Sequence, residues 1–462
     1  MLPPSFITEM QQVLGTDEAQ ALCEAIEGSA SPVSIRLNPR KQPQHLPSEV
    51  ESEVPWCESG RYLKVRPSFT ADPLLHAGTY YVQEASSMFV AQAYRTIVRD
   101  FEPHRMLDLC AAPGGKSTLW RSLLPDGALL VANEPIRQRA QILAENLTKW
   151  GHPDVVCTSA YPEEFSRLSG FFDVVAADVP CSGEGMFRKD HGAVEEWSTE
   201  AVTACAERQW GIVCDIWPTL RQGGYMVYST CTYNQEENER MVQRICSELG
   251  AEPVGIDCAD EWHIAPDTTG NGLPVYHFFP HKTKGEGLFL ALLRKTSEAP
   301  QLRSPKKKKG ERSGSRGRQL PVQNASKVAH WLGSDSEYRI VRPDEAHLVA
   351  LRETLADDIT LVCSQVRALT AGILLAEEKG KKLIPQHALA LSTALASDAF
   401  PKVELSREDA LAYLRREVLT LSPDVPRGYV VGTYEGHPLG FLNNLGSRAN
   451  NLYPQEWRIR NL

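Results

Sequence analysis

Between residues 106 and 230, five short apolar or β-branched runs (MLDL, ALLVAN, VVCT, DVVAAD and YMVYST) alternate with helix-length stretches such as 138–150 and 201–220. No other feature constrains the fold as strongly. Strands separated by helices of this length need crossover connections, which are right-handed and lay the strands parallel in a sheet covered on both faces. The chain is therefore read as an α/β protein built on a doubly wound, Rossmann-like sheet. Two further runs, YHFFP and GLFLALLRK, lie close together and are expected to close the sheet as an antiparallel edge. In such sheets ligands lie outside the carboxyl ends of the strands, so chemistry is sought just past each run.

At 462 residues the chain is too long for one core. Residues 1–75 open with a helix-like stretch at 6–27, followed by SPVSIRLNPRK and Pro-interrupted extended segments. They are read as a small mixed α/β lobe with an RNA-binding role. Residues 76–296 carry the alternating region, entered through TYYVQEASSMFVAQAYRTI, read as a helix. At 297–322, Arg303, Lys306, Lys307, Lys308, Lys309, Arg312, Arg316 and Arg318 are opposed only by Glu298 and Glu311. This is a basic linker, either a solvated spacer or a phosphate-neutralising arm. Residues 323–390 are expected to be helix-rich and 391–462 a compact β module. There Arg448, Tyr453, Trp457, Arg458 and Arg460 interleave charge and aromatic rings, which suits RNA backbone contact and base stacking.

A net charge of -9 argues against a globally basic nucleic-acid binder but leaves local basic patches open. No stretch reaches the ~18 apolar residues of a membrane span. The N-terminus MLPPSFITEM carries Pro3, Pro4 and Glu9 where a secretory signal needs basic and then apolar residues, so the chain is read as cytoplasmic. The modular layout favours a monomer. The 11 cysteines form no C-x-x-C pair and no zinc-ligand spacing with histidine. Reduced thiols are expected and no metal is indicated. Cys157, Cys205, Cys214 and Cys246 lie in apolar patterns and are read as small core hydrophobes.

CAAPGGKST, after the first strand, nearly matches the phosphate-binding G-x-x-x-x-G-K-[ST]. Cys110 occupies the position of the first glycine, so the phosphate-wrapping turn is not encoded and a nucleotide triphosphatase is disfavoured. A nucleoside-containing cofactor lying over Gly114 and Gly115 fits better, with Asp108 ending the strand. The second strand then delivers Glu134, 18 residues after Lys116, as the acid for ribose hydroxyls. Arg139 opens the next helix and either holds that acid, contacts the cofactor or is a surface charge.

Cys181 in AADVPCSGEGMFRKD and Cys231 in VYSTCTYNQEEN each lie just past a strand. Two such thiols suit alkylation of pyrimidine carbon 5, a poor nucleophile until a thiolate adds to carbon 6 and turns the ring into an enamine. A base must later remove the carbon 5 proton so that the enzyme is released. Asp178, three residues before Cys181, is placed to hydrogen-bond the ring or the cofactor amine. Strand order alone leaves the nucleophile and release roles open between the two thiols. A base in folded RNA would have to be flipped out to reach them.

LDLCAAPGGKST, NEPIRQRAQILAENLTKWG, DVPCSGEGMFRKD, YSTCTYNQEENE and FFPHKTKGEGLFLALLRK resemble the successive motifs of the Sun/Fmu (Nol/Nop/Sun) RNA cytosine-5 methyltransferases over residues 80–294. YVQEASSM and RANNLYPQEWRIR resemble the bacterial 16S ribosomal RNA methyltransferase F type, which carries a PUA-like C-terminal module. The resemblance implies S-adenosylmethionine as donor, bound by Cys110, Ala111, Ala112, Pro113, Gly114, Gly115, Lys116, Glu134, Arg139 and Asp178. It implies Cys231 as nucleophile, Cys181 as the thiol that assists release, and ribosomal RNA or the small ribosomal subunit as partner. Many relatives place an aspartate after the third strand for the adenine, where TSAYPEEF puts Tyr161, leaving Ser159 or backbone amides. Arg188 and Lys189 are read as substrate-phosphate contacts or a solvated loop. Two other functions fit the residues less well. One is a ribosome-assembly factor that binds RNA without turnover, and the other is a DNA cytosine-5 methyltransferase using Cys181.

Overall fold

The computed structural model describes residues 1–28, 30–298, 322, 324–334 and 337–460. The basic linker expected at 297–322 lies outside the described residues apart from 297, 298 and 322. Among the described residues no helix is long and apolar enough to cross a membrane.

The stretch expected as one helix at 6–27 is two, α1 (Pro4–Leu14) and α2 (Thr16–Gly28). Gly15, at φ 83°, separates them in a conformation that favours glycine and ends a helix. Their apolar faces, with Phe6, Met10, Leu22 and Ile26, pack with Phe187 and Trp197 of the central region. Strands β1 (Val33–Leu37), β2 (Val50–Val54) and β3 (Cys57–Leu63) follow, then α3 (Pro73–Ala77) and β4 (Tyr80–Val82). They form an antiparallel sheet in the order β2-β3-β1-β4. The helix expected from residue 79 onward therefore begins only at α4 (Val90–Ile97). The preceding TYYV has aromatic and β-branched residues suited to a strand and takes the open edge of β1.

The central sheet has the predicted doubly wound form. In chain order its elements are β5 (Arg105–Asp108), α5 (Gly115–Leu123), β6 (Leu129–Asn133), α6 (Arg137–Trp150), β7 (Val155–Thr158), β8 (Phe172–Asp178), α7 (His191–Glu196), α8 (Thr199–Ile216), β9 (Leu220–Thr230), α9 (Glu239–Leu249), β10 (Ala251–Val254), β11 (Val275–Phe278) and β12 (Leu288–Lys295). Strands β9-β8-β5-β6-β7 are parallel neighbours in that order. Alternate residues serve opposite layers: Leu107, Val131, Val175 and Met226 enter one core, and Met106, Leu130, Val174 and Val227 the other. Burial on both faces is why these strands read as continuous apolar runs. The expected antiparallel edge is present, with β12 on β9 and β11 on β12.

The rest of the chain carries α10 (Ala325–Ala329), β13 (Tyr338–Val341), β14 (His347–Arg352), α11 (Ala356–Gln365), β15 (Ala368–Ala371), β16 (Ile373–Lys379), β17 (Lys382–Pro385), α12 (His387–Leu391), β18 (Lys402–Glu404), α13 (Arg407–Leu414), β19 (Gly428–Tyr434), β20 (His437–Asn444) and β21 (Ala449–Asn451). The segment expected to be helix-rich contains a four-stranded sheet, β13-β14-β16-β17. Leu348 and Ala350 on one strand, and Ile373 and Leu375 on its neighbour, enter one core with the period of two that defines a strand. β15 leaves this segment and pairs antiparallel with β7, extending the central sheet. Fully buried Asp154 at the start of β7 receives Arg352 Nε at 2.8 and 2.9 Å, which ties the segment down. The final sheet, β18-β19-β20-β21, is the core of the last module.

Candidate active site

The loop after β5 is shaped by main-chain bonds. Leu109 N–H donates to Ala176 O at 2.9 Å and Ala111 N–H to Asn133 O at 2.8 Å, so the loop crosses the ends of β8 and β6. Gly114, at φ 116°, turns the chain into α5. A Cβ on Gly115 would stand 3.4 Å from the Tyr81 ring, at van der Waals contact. Lys116 Nζ binds Asp178 Oδ2 at 2.8 Å, and Asp178 Oδ1 accepts from Ser229 Oγ at 2.8 Å. Burial favours the neutral amine, but the Asp178 carboxylate outweighs it and holds Lys116 above its usual range. Burial, and then the Asp178, Asp108 and Glu134 carboxylates, push the Cys110 thiol far up, leaving it a packing group. Asp108, buried and accepting from Ser117 Oγ at 2.6 Å, is pushed up to about 7 by burial.

Glu134 ends β6 buried, with Oε1 accepting the Ile136 N–H at 3.0 Å. Arg139 meets the acid, one of the roles open to it: NH1 lies 3.5 Å from Glu134 Oε2 and NH2 donates to Ala112 O at 3.2 Å. The residues fit a nucleoside cofactor carrying a cationic centre. The glycine turn at the start of α5, a carboxylate at the end of β6 and the partly exposed Asp178 carboxylate lie along one edge of the sheet. Ser159 has little left for an adenine: its N–H donates to Arg367 O at 2.9 Å and its hydroxyl to Pro135 O at 3.3 Å. Tyr161 is exposed.

Because β8 and β9 are parallel neighbours, the loops that follow them meet. Cys181 Sγ and Cys231 Sγ are 3.2 Å apart, so both thiols occupy one site. The hydrogen bond to Cys231, and then burial, hold Cys181 well above the usual thiol range. Cys181 is thus held as the protonated thiol.

Several sequence expectations are corrected. Arg188 is buried against the protein: NH2 donates to Ala25 O at 3.0 Å, and NH1 lies 3.4 Å from both Gly285 O and Glu286 Oε2. It is not a phosphate contact, and Lys189 shares Glu286 at 3.5 Å. Tyr453 is buried among His387, Tyr413 and Trp457, because the small core of the last module needs its ring, so it does not stack on bases. Arg448, Arg458 and Arg460 remain exposed. Cys157 is fully buried as read, whereas Cys205, Cys214 and Cys246 are only partly covered. Asp126, His152 and Asp154 cluster at metal-like spacing, but Arg40 and Arg352 already meet the two carboxylates. The sequence reading missed Glu184, Asn234 and Glu237, which are buried beside the thiols. The only signal was polar residues packed tightly around each cysteine.

Residues 96–294 match the model of the family described as 16S rRNA methyltransferase RsmB/F. Ribosomal RNA small subunit methyltransferase F of Erwinia tasmaniensis is 30% identical over 98% of this chain and 96% of its own length. The chain belongs to the 16S rRNA methyltransferase RsmB/F family. The same-named proteins of Escherichia coli strain SE11 (31% identical, 98% of this chain, 96% of that protein) and Klebsiella pneumoniae (32%, 87% and 84%) agree. Residues 2–85 match the N-terminal domain of 16S rRNA methyltransferase RsmF and residues 400–459 the methyltransferase RsmF PUA domain. Members of the RsmB/F family are S-adenosylmethionine-dependent methyltransferases, so the donor implied by the sequence stands. The fold is shared with NSun6 from Pyrococcus horikoshii, solved with SFG (TM-score 0.53, 18% identity, 64% of this chain, 99% of that one). A methyltransferase homolog from the same organism shares it too (0.51, 23%, 64% and 100%).

Proposed function

We propose that this chain methylates carbon 5 of a cytosine in 16S ribosomal RNA, in the cytoplasm, through a covalent adduct between Cys231 and carbon 6. The observation that carries this reading is the 3.2 Å contact between the two thiols at the carboxyl ends of neighbouring strands. Bound S-adenosylmethionine supplies an electrophilic methyl group. Cys110 through Lys116, with Cys110 contributing its main chain, would hold it together with Glu134 and Asp178, and Arg139 braces Glu134 and the Ala112 carbonyl. Cys231 Sγ adds to carbon 6, which pushes electron density to carbon 5. After methylation a water molecule takes the carbon 5 proton, the ring double bond re-forms, and the Sγ–carbon 6 bond breaks with its electron pair returning to the Cys231 sulfur. Cys181, whose Sγ lies 3.2 Å from Cys231 Sγ, assists that release by donating its S–H to the departing sulfur. Asp178 is directed at the ring's polar edge or the cofactor amine. The last module, through Arg448, Arg458 and Arg460, contacts the RNA backbone.

The test is a denaturing gel of full-length protein with unmodified small-subunit RNA and S-adenosylmethionine. A slow-migrating adduct is expected in Cys181→Ala and not in Cys231→Ala. An adduct only in Cys231→Ala would reverse the roles. No adduct in any variant, with no methyl transfer to RNA or assembled subunits by wild type, would overturn the reading.

A further inference from the structure

The thiol contact is framed by side chains to which the reaction assigns no role. Glu184 belongs to the loop of Cys181 and reaches the chain beyond Cys231. Its Oε2 accepts the Tyr233 N–H at 2.6 Å and the Asn234 N–H at 3.1 Å. Glu237 lies beyond Cys231 and reaches back, accepting the Ser182 N–H at 3.0 Å. Asn234 sits between them. Its Nδ2 donates to Glu184 Oε1 at 2.8 Å and Glu237 Oε1 at 2.9 Å, while its Oδ1 accepts the Glu237 N–H at 2.9 Å. Trp197 Nε1 donates to Glu184 at 3.0 Å and Gln209 Nε2 to Glu237 at 2.6 Å, closing the outside. A main-chain bond from Gly185 N–H to Cys231 O at 2.7 Å joins the same loops.

Glu184, Asn234 and Glu237 are fully buried, and the bonds just named to the two carboxylates all come from neutral donors. Burying two carboxylates this way is a poor route to stability. It does give short, directional, charge-assisted bonds that cross between the loops in both directions. We propose that Glu184 and Glu237 form a reciprocal clamp that fixes the spacing of Cys181 and Cys231, and that release of the methylated base requires this spacing. The two are positioning residues. The inference rests on the two-thiol reading above. Attack needs only the Cys231 sulfur. Release, in which the carbon 5 proton leaves and the Sγ–carbon 6 bond breaks, needs Cys181 within reach of the same ring.

The experiment compares full-length wild type, Glu184→Gln and Glu237→Gln in three assays. Titration with phenylarsine oxide, which bridges two close thiols, reads the spacing, with Cys181→Ala as the zero. Steady-state methylation separates kcat from KM, and the denaturing gel shows whether adduct builds up. The clamp predicts weakened arsenical capture and accumulated adduct. It also predicts a kcat lower by about 100-fold, the scale of an ångström misplacement, with the KM for RNA falling alongside because adduct accumulates, and the affinity for S-adenosylmethionine within about twofold. Trp197→Phe removes one bond to Glu184 while keeping the ring, and gives a milder shift in the same direction should the glutamate variants fail to fold. Wild-type arsenical capture and kcat in folded variants would overturn the clamp. Full activity of Cys181→Ala and Cys231→Ala would instead sink the two-thiol reading itself.

Discussion

The glycine turn after β5 is held through its main chain, by a left-handed Gly114, by bonds from Leu109 and Ala111 to neighbouring strands, and by Asn133, Arg139 and Asn146 donating to its carbonyls. The loops after β8 and β9 sit at the same sheet edge but are held largely by side chains: two buried glutamates, an asparagine and a glutamine 25 or more residues away in sequence. The first arrangement fixes the course of a backbone over which a ligand comes and goes. The second places two sulfurs at a set distance, which backbone turns alone do not specify. Binding and bond-making thus rest on different kinds of support.

The contrast breaks most visibly at Cys231. Cys231→Ser is expected to lower the methylation rate by at least about 1,000-fold, because an alcohol is far less nucleophilic than a thiolate. S-adenosylmethionine affinity, measured by calorimetry, should be unchanged. Equal loss of cofactor binding would mean that the two supports are one. On the other side, Glu134→Gln is expected to weaken S-adenosylmethionine by about tenfold, the scale of a charged hydrogen bond, while kcat at saturating cofactor is retained. A collapse of kcat instead would place Glu134 in the chemistry.

Gly114→Ala probes the backbone support directly. At φ 116° a Cβ is strained, and it would stand 3.3 Å from Leu143, so about 1–2 kcal/mol of stability should be lost. Chemical denaturation would read this, with arsenical capture by the thiols unaffected. The smallest effect concerns Glu9, whose carboxyl is raised from 4.5 to about 7 by burial and then by Glu184 and Glu237. Between those values the folded protein holds a proton that the unfolded chain has lost, so stability falls as pH rises through this window. Glu9→Gln removes that loss. After solvent screening its Tm should exceed wild type by the equivalent of about 1 kcal/mol at pH 8, with no difference at pH 4. An equal gain at pH 4 would show that the effect does not come from ionisation of Glu9.

The central sheet was legible because its strands are buried on both faces and their apolar runs are unbroken. The turn was legible because CAAPGGKST is contiguous. Elsewhere the local signal was overruled. TYYV became a strand because β1 offered an open edge, and 6–27 broke at Gly15 because the two helices had to fold back on each other. The segment at 323–390 hid its strands because ILLAEEK and HLVALR carry apolar residues compatible with either period. Arg188, apparently free in a loop, was drawn inward by Glu286.

The sequence by itself determined the doubly wound sheet, the glycine turn with Glu134 on the next strand, and a cysteine at the end of each of two strands. These are local patterns or follow from the fixed order of crossover connections. Only the tertiary structure decided that the two sulfurs would stand 3.2 Å apart, that β15 would join the central sheet, and that Glu184 and Glu237 would face each other's loops. Those contacts span roughly 50 to 200 residues of chain. They are set by which strands become neighbours and what must be buried between them, and no window along the sequence contains both partners.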